Sequence, residues 1–182
     1  AGFSPGTDGF MQKDGKRLAL SLKVPIEKES EAVKRVVLAF RNYLKNVGAD
    51  VKVEFKEWQA WKEDVFLEHD FDIIFASWVF DDSADISSLF HSGEIGPWKN
   101  NFGGYANSEV DGLINESKLT LDHEKKRTIN RKLHALLAEE NPYTFLWTLT
   151  NYAAYHKKVR RVAIHPYKFF TFADEWFLEE GK

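Results

Sequence analysis

Apolar and polar positions alternate from Leu18 to Val24, with Leu18, Leu20, Leu22 and Val24 on one side and Ala19, Ser21 and Lys23 on the other. A period of two predicts a strand, which Pro25 ends. The period then changes. Val33, Val36, Val37, Phe40, Leu44 and Val47 recur at helical spacing, with Ser30 placed as N-cap and Gly48 just past the end, where a left-handed cap is wanted. Val51 to Phe55 alternates again and predicts a second strand. Trp58, Trp61 and Val65 mark a short amphipathic helix. Phe71 to Trp78 predicts a third strand, and its continuous apolar run Ile73, Ile74, Phe75, Ala76 suits a strand covered on both faces. The order strand, helix, strand, helix, strand predicts a βαβ-type sheet with helices packed on it.

Beyond it the pattern loosens. Asp81 to Ala106 is irregular and rich in Gly, Asn, Asp and Ser. Ordered connections of that length are often functional. Ser108-Glu109-Val110-Asp111 resembles a capping box, so Ser108 is expected to open a helix running to about Lys118. Asp122 is placed to cap the next helix. Ile129, Leu133, Leu136 and Leu137 form its apolar face, and Pro142 stops it near Asn141. "YTFLWTL", Tyr143 to Leu149, reads as a buried strand. "YAAYH" and "RVAIHP" read as shorter extended pieces of a hairpin around Lys157 to Arg160.

Composition narrows the class. At 182 residues the chain has the length of one sizeable domain. Its net charge of −3, with both signs scattered, lacks the basic stripe of a nucleic-acid-binding protein, so no nucleic-acid partner is expected. Lys157, Lys158, Arg160 and Arg161 read as a solvated turn. The absence of Cys removes disulfides and thiolate sites. No apolar run approaches the roughly 18 residues of a membrane span. The opening "AGFSPGTDGF" lacks the basic start and apolar run of a signal peptide. Aromatic residues make up 15% of the chain, enough to line a pocket as well as fill a core.

Catalytic signatures are missing: there is no G-x-S-x-G, H-E-x-x-H, P-loop or G-x-G-x-x-G. No two of the six His have metal-ligand spacing, and Asp81, Asp82 and Asp85 do not meet the EF-hand pattern. Paired carboxylates could serve glycoside chemistry, but nothing else in the sequence supports it. No catalytic residue, metal or cofactor is therefore expected. Two stretches stand out instead. In Trp78 to Phe90 three acids follow a greasy strand among aromatics; "NNFGGYAN" spans Asn100 to Asn107. Ligands of open α/β sheets bind outside the carboxyl ends of strands. A structural role is the alternative: Asp81, Asp82 and Asp85 as turn and cap residues, and Trp78, Phe80 and Tyr105 as core. Asp85, followed by Ser87 and Ser88, reads first as a cap, whereas Asp81 fits either role. Gly103 and Gly104 permit a close approach to the backbone or simply a turn.

In chain order, "AGFSPGTDGFMQKDGKRLALSL", "LKNVGADVKVEF", "FDIIFASWVFDD", "NNFGGYANSEVDGLI" and "EENPYTFLWTLTNYAAYHKKVRRV" resemble the C-terminal part of bacterial extracellular solute-binding proteins of the oligopeptide/dipeptide/nickel family, which serve ABC importers. The resemblance spans essentially the whole chain. It implies an α/β fold: one lobe of a two-lobed periplasmic-binding-protein (type II) fold, with a mixed sheet flanked by helices. Residues 1–182 are then expected to be a single C-terminal lobe, a piece of a longer chain. The implied partners are the N-terminal lobe, the membrane permease of an ABC transporter, and a peptide or other small solute held between the lobes. The implied location is extracytoplasmic, in the periplasm or lipid-anchored at the cell surface, with a binding role and no catalysis.

In peptide-binding relatives an Asp three residues after the Trp at this strand end receives the peptide's α-amino group, and that role maps onto Asp81. A carboxylate in a partly desolvated, aromatic-lined cleft makes a strong charge-assisted bond to an ammonium. The resemblance thus nominates Trp78, Phe80, Asp81, Asp82, Phe102, Gly104 and Tyr105 as ligand-binding. Trp78, Phe80, Phe102 and Tyr105 are expected to leave an aromatic face exposed at the lobe junction. Many relatives have Asp-Pro where this chain has Asp85-Ile86, and Asp82 adds a charge that either tunes the pocket for a cationic ligand or faces water. The alternative ligand is a non-peptide solute such as an oligosaccharide or a metal complex. Trp58, Trp61, Trp98 and Trp147 would then stack on sugar rings, although a core role is the first expectation for most of them.

Overall fold

The computed structural model describes residues 2–26, 31–80, 83, 85–148, 150, 152–165 and 168–179. Its contacts divide the chain into two groups, Ala1–Trp78 with Asp85–Pro142, and Val79–Ala84 with Tyr143–Lys182.

The first group opens with a three-stranded antiparallel sheet, β1 (Ser4–Pro5), β2 (Met11–Lys13) and β3 (Lys16–Arg17). β2 and β3 are joined by Asp14-Gly15, both at positive φ (51° and 74°). That is the geometry a two-residue hairpin demands, and Asp-Gly is its usual sequence. The reading of apolar periodicity passes over this hairpin, because its strands are too short to show a period.

β4 (Ala19–Pro25) is the middle strand of the principal sheet, with β5 (Asp50–Lys56) on one side and β6 (Ile73–Ile74) on the other, all parallel. The predicted alternation is what divides its two faces. Leu22 and Val24 point to α1 (Glu31–Asn46) and pack with Val37, Ala49 and Val51, joined by Phe40, Leu44, Val53, Ile73 and Phe75. Burying each such side chain contributes roughly 1.5–3 kcal/mol. The helix ends as expected at Gly48 (φ 85°): Ala49 N–H donates to Leu44 O at 3.0 Å and Gly48 N–H to Lys45 O at 2.9 Å, a Schellman pair that satisfies two end carbonyls. The expected cap Ser30 lies outside the described residues.

The opposite face of the sheet is covered by α2 (Trp58–Lys62) and a π-helical turn, Glu63–Glu68. Trp61, Val65 and Phe102 are buried there with Phe66, Phe71 and Ile74 around them. Ile73 and Ile74 thus serve opposite faces, as their continuous apolar run implies. The third strand is shorter than predicted, two residues instead of Phe71 to Trp78. At its start the Asp72 carboxylate takes the Ser21 N–H (2.7 Å) and hydroxyl (2.9 Å). At its end Phe75 N–H reaches Lys23 O at 3.1 Å, and β4 then closes at Pro25, which has no N–H to offer.

After α3 (Ser87–Phe90) and a 3₁₀ turn (Ser92–Glu94) come α4 (Ser108–Leu119) and α5 (His123–Glu140), which pack together and are joined by a 2.7 Å bond from Ser117 Oγ to Asn130 Oδ1. Ser108 does not cap α4. The cap is Asn107, whose Oδ1 accepts from Glu109 and Val110 N–H, while Asp111 turns to Ser92. The Asp122 cap (Lys125 N–H at 2.7 Å) and the stop at Asn141, φ 47°, are as predicted, and Ile129, Leu133 and Leu137 are buried.

In the second group, β7 (Val159–Arg160) pairs antiparallel with β8 (Phe177–Leu178). The predicted hairpin between "YAAYH" and "RVAIHP" is therefore replaced by pairing with a segment further along the chain. The basic cluster sits at this turn and strand, with Arg160 ion-paired to Glu179. "YTFLWTL" is not a buried strand: its described residues form no regular element, and Phe145 is 69% exposed. Leu149 is outside the described residues.

Candidate functional site

All three strands of the parallel sheet end at one place. Pro25 closes β4, Trp58 follows β5, and Ala76, Ser77 and Trp78 follow β6. With Trp61, Phe66 and Phe102 they line a cavity of about 80 Å³. It has room for a side-chain-sized group and no charged residue in its lining. The walls form a continuous aromatic array. Trp58 stacks on Trp61 at 5.3 Å, Trp61 meets Phe66 edge-on at 6.1 Å, and Phe66 meets Phe102 edge-on at 4.7 Å. Trp78 stacks on Phe102 at 5.6 Å, and Trp98 lies 6.4 Å from Phe66. Such pairs are worth about 0.5–1.5 kcal/mol each beyond the area they bury.

The loop bearing Phe102 is set by Asn101, which is fully buried. Its amide donates to His91 O (3.2 Å) and Tyr105 O (2.8 Å), and its Oδ1 accepts from Tyr105 N–H at 3.0 Å. Gly104 (φ 63°) makes the turn between, its N–H bonded to Asn101 O. The sequence reading did not select Asn101, although an Asn beside a Gly-Gly turn was a signal for a loop-bracing amide.

Beneath the cavity lies a charge cluster that the sequence also concealed. Lys23, 3% exposed, contacts Asp64 at 2.7 Å and Asp70 at 2.6 Å, and Lys56 pairs with the same oxygen of Asp64. Burial disfavours the Lys23 ammonium, but hydrogen bonds to Asp64 and then Asp70 outweigh it, and its pKa stays above the ordinary lysine value. Burial likewise pushes Asp64 up, yet Lys23 and Lys56 hold it below the usual carboxylate range.

Of the nominated residues, the structure brings Trp78 and Phe102 together. Trp78 is 36% exposed, but Phe102 is only 6% exposed, so it does not contribute to an open aromatic face. Tyr105 turns elsewhere: its hydroxyl donates to Glu140, and its ring meets Phe90 edge-on at 6.3 Å. Burial, then the neighbouring Glu140 carboxylate, push its phenol up to about 12. Phe80 belongs to the second group and is half exposed. Asp81 and Asp82 lie outside the described residues. Asp85 accepts from Ser87 N–H at 2.9 Å and pairs with Lys118 at 3.2 Å; the N-cap of α3 is Ile86, so Asp85 serves the turn before the helix and is not its cap. Of the tryptophans expected in the core, only Trp61 is buried; Trp58, Trp98 and Trp147 are half exposed. No group of three or more His, Asp or Glu able to hold a metal occurs among the described residues. No helix among them is long and apolar enough to cross a membrane.

The architecture is that of the periplasmic binding proteins of ABC transporters, α/β with helices flanking the sheet. The chain is 27% identical, over 172 residues covering 94% of its length, to the oligopeptide-binding protein AppA of Bacillus subtilis. The structure of that protein in complex with a nonapeptide superposes over 98% of this chain with a TM-score of 0.78. Protein XP55 of Streptomyces lividans is 28% identical over 151 residues, covering 80% of this chain. A nickel ABC transporter structure from Bacillus halodurans shares the fold, with a TM-score of 0.66 at 20% identity over 96% of this chain and 36% of its own. The chain spans only 31% and 26% of the two curated relatives, and 35% of the AppA structure. No family model matches.

Proposed function

We propose that this chain is the C-terminal lobe of the extracytoplasmic binding component of an ABC importer, and that it captures peptides without transforming them. The observation that carries the reading is the cavity walled by Trp58, Trp78 and Phe102 off the carboxyl ends of three parallel strands, three residues before Asp81. An uncharged aromatic pocket of this size accepts an apolar side chain. Gly104 and Tyr105 shape the loop that carries Phe102; by the family resemblance, Asp81 is assigned the peptide's α-amino group, with Asp82 as added charge and Phe80 as apolar surface. The N-terminal lobe of the longer protein closes over the ligand, and the membrane permease accepts it. Similarity to an oligopeptide-binding protein along 94% of the chain supports the same reading.

The test is a double cycle by titration calorimetry on the full-length protein. Asp81→Asn should weaken binding of a free-amino-terminal peptide on the order of 100-fold, because an ion pair loses one partner at about 1.4 kcal/mol per tenfold. N-acetylating the peptide should weaken the wild type by as much and the variant only slightly. Additive losses would separate Asp81 from the amino terminus. One observation favours a saccharide as the second reading: Trp58 in the cavity's lining, and Trp98 beside the lining residue Phe66, each keep about half their surface open, and flat indole faces suit a sugar ring.

A further inference from the structure

Ser21, Lys23 and Pro25 lie on the face of β4 away from α1, two residues apart. Ser21 meets Asp72, Lys23 meets Asp64 and Asp70, and Pro25 lines the cavity. A buried apolar side chain in place of Lys23 would cost less desolvation, so burial alone does not account for an ammonium there. Its two acids explain it. Asp64 stands near the start of the π-helical turn and Asp70 just beyond its end, where Asp70 N–H closes back on Asp64 O at 2.9 Å. One cation therefore spans both ends of the turn. The segment it spans carries Phe66, and it continues directly from α2, which carries Trp58 and Trp61. The Trp61 indole N–H approaches Lys23 O at 3.4 Å.

We propose that Lys23 is a positioning residue for the aromatic cavity: held between Asp64 and Asp70, it sets the pitch of the π-helical turn and so the stacking of Trp58, Trp61 and Phe66. Its relevance to ligand capture rests on the cavity being the ligand site, but the geometry is testable without that reading. The 182-residue chain is labelled with ¹⁵N-tryptophan, and indole cross-peaks are compared for the wild type, Lys23→Met and a core variant on α4, Ile114→Val or Ile114→Ala, chosen for an equal loss of melting temperature. Lys23→Met should displace or broaden the Trp58 and Trp61 peaks, whereas the α4 variant should leave them in place. Equal displacement in both would make the effect general loosening and overturn the proposal. The double variant Lys23→Met with Asp70→Asn removes the acid that loses its ion pair, since Asp64 keeps Lys56. Recovery of melting temperature with the indoles still displaced supports positioning; recovery of both overturns it, because apolar packing would then hold the turn equally well. A second readout is titration with N-acetylphenylalaninamide, whose affinity should fall at least about fivefold in Lys23→Met. If the wild type binds none of this probe while the indoles shift as expected, the ligand reading fails and the positioning role stands.

Discussion

Asn101 offers the sharpest test of how the cavity wall is built. Its side chain makes three hydrogen bonds in a site from which water is excluded, two donated to carbonyls of His91 and Tyr105 and one accepted from Tyr105 N–H. At about 0.5–1.5 kcal/mol net for each bond, Asn101→Ala should cost about 3 kcal/mol. For a chain of this length that is a fall of roughly 6–12 °C in melting temperature. Asn101→Asp makes a stronger prediction. It preserves the volume and the acceptor for Tyr105 N–H, but it points a carboxylate oxygen at two carbonyls. Burial and those carbonyls raise the new group's folded pKa above its unfolded value near 3.9. The destabilisation is therefore full above the folded pKa and relieved as pH falls through it, because the protonated acid donates once more. The assay is thermal melting by circular dichroism from pH 7 to pH 4, with the wild type subtracted. At pH 7 Asn101→Asp should melt no higher than Asn101→Ala, and the gap to wild type should narrow on acidification. A cost below about 1 kcal/mol for the alanine variant would refute the reasoning. So would an aspartate variant that is more stable at pH 7 than at pH 5.

Other outcomes follow from single contacts. Gly48→Ala should destabilise by about 1–2 kcal/mol, since φ is 85° and the added carbon would lie 2.7 Å from Met11 Cγ and 3.0 Å from its backbone N; urea melts measure it. Asn107→Ala removes the α4 cap and should cost about 1 kcal/mol by the same method. Asp111 titrates below the ordinary range because, although burial raises it, Ser92 N–H and Oγ bind its charged form. Its contribution is therefore present above the unfolded pKa and lost as pH falls below about 4, and Asp111→Asn should flatten the stability profile there. With its phenol pushed up to about 12, Tyr105 should contribute an absorbance step at strongly alkaline pH, and Tyr105→Phe should delete that step.

Local pattern determined a great deal here. The alternation of Leu18 to Val24 marked β4 and its two faces, helical spacing marked α1 and α5, and Gly48, Asp122 and Asn141 marked ends where the backbone itself needs a particular residue. These signals survive because period, φ and capping bonds involve neighbours in sequence. The cavity was half legible: Trp78 and Phe102 were grouped in advance and do stack, but the burial of Phe102 and the walls that Trp58, Trp61 and Phe66 add around them were not foreseen. What tertiary structure decided is everything that depends on who lies opposite. The apolar run Phe71 to Trp78 pairs over only two residues, because Asp72 and Pro25 end the ladder with β4. "YTFLWTL" is as apolar as a core strand, yet Phe145, Leu146 and Trp147 are largely open to solvent, since composition does not specify a covering surface. The alternation put Lys23 on the less apolar face of its strand; only the tertiary structure covered that face with a second layer of helix and brought Asp64 and Asp70, residues distant in sequence, to its charge. A strand's pattern says which side chains share a face; only the packing of the next layer says whether that face meets water.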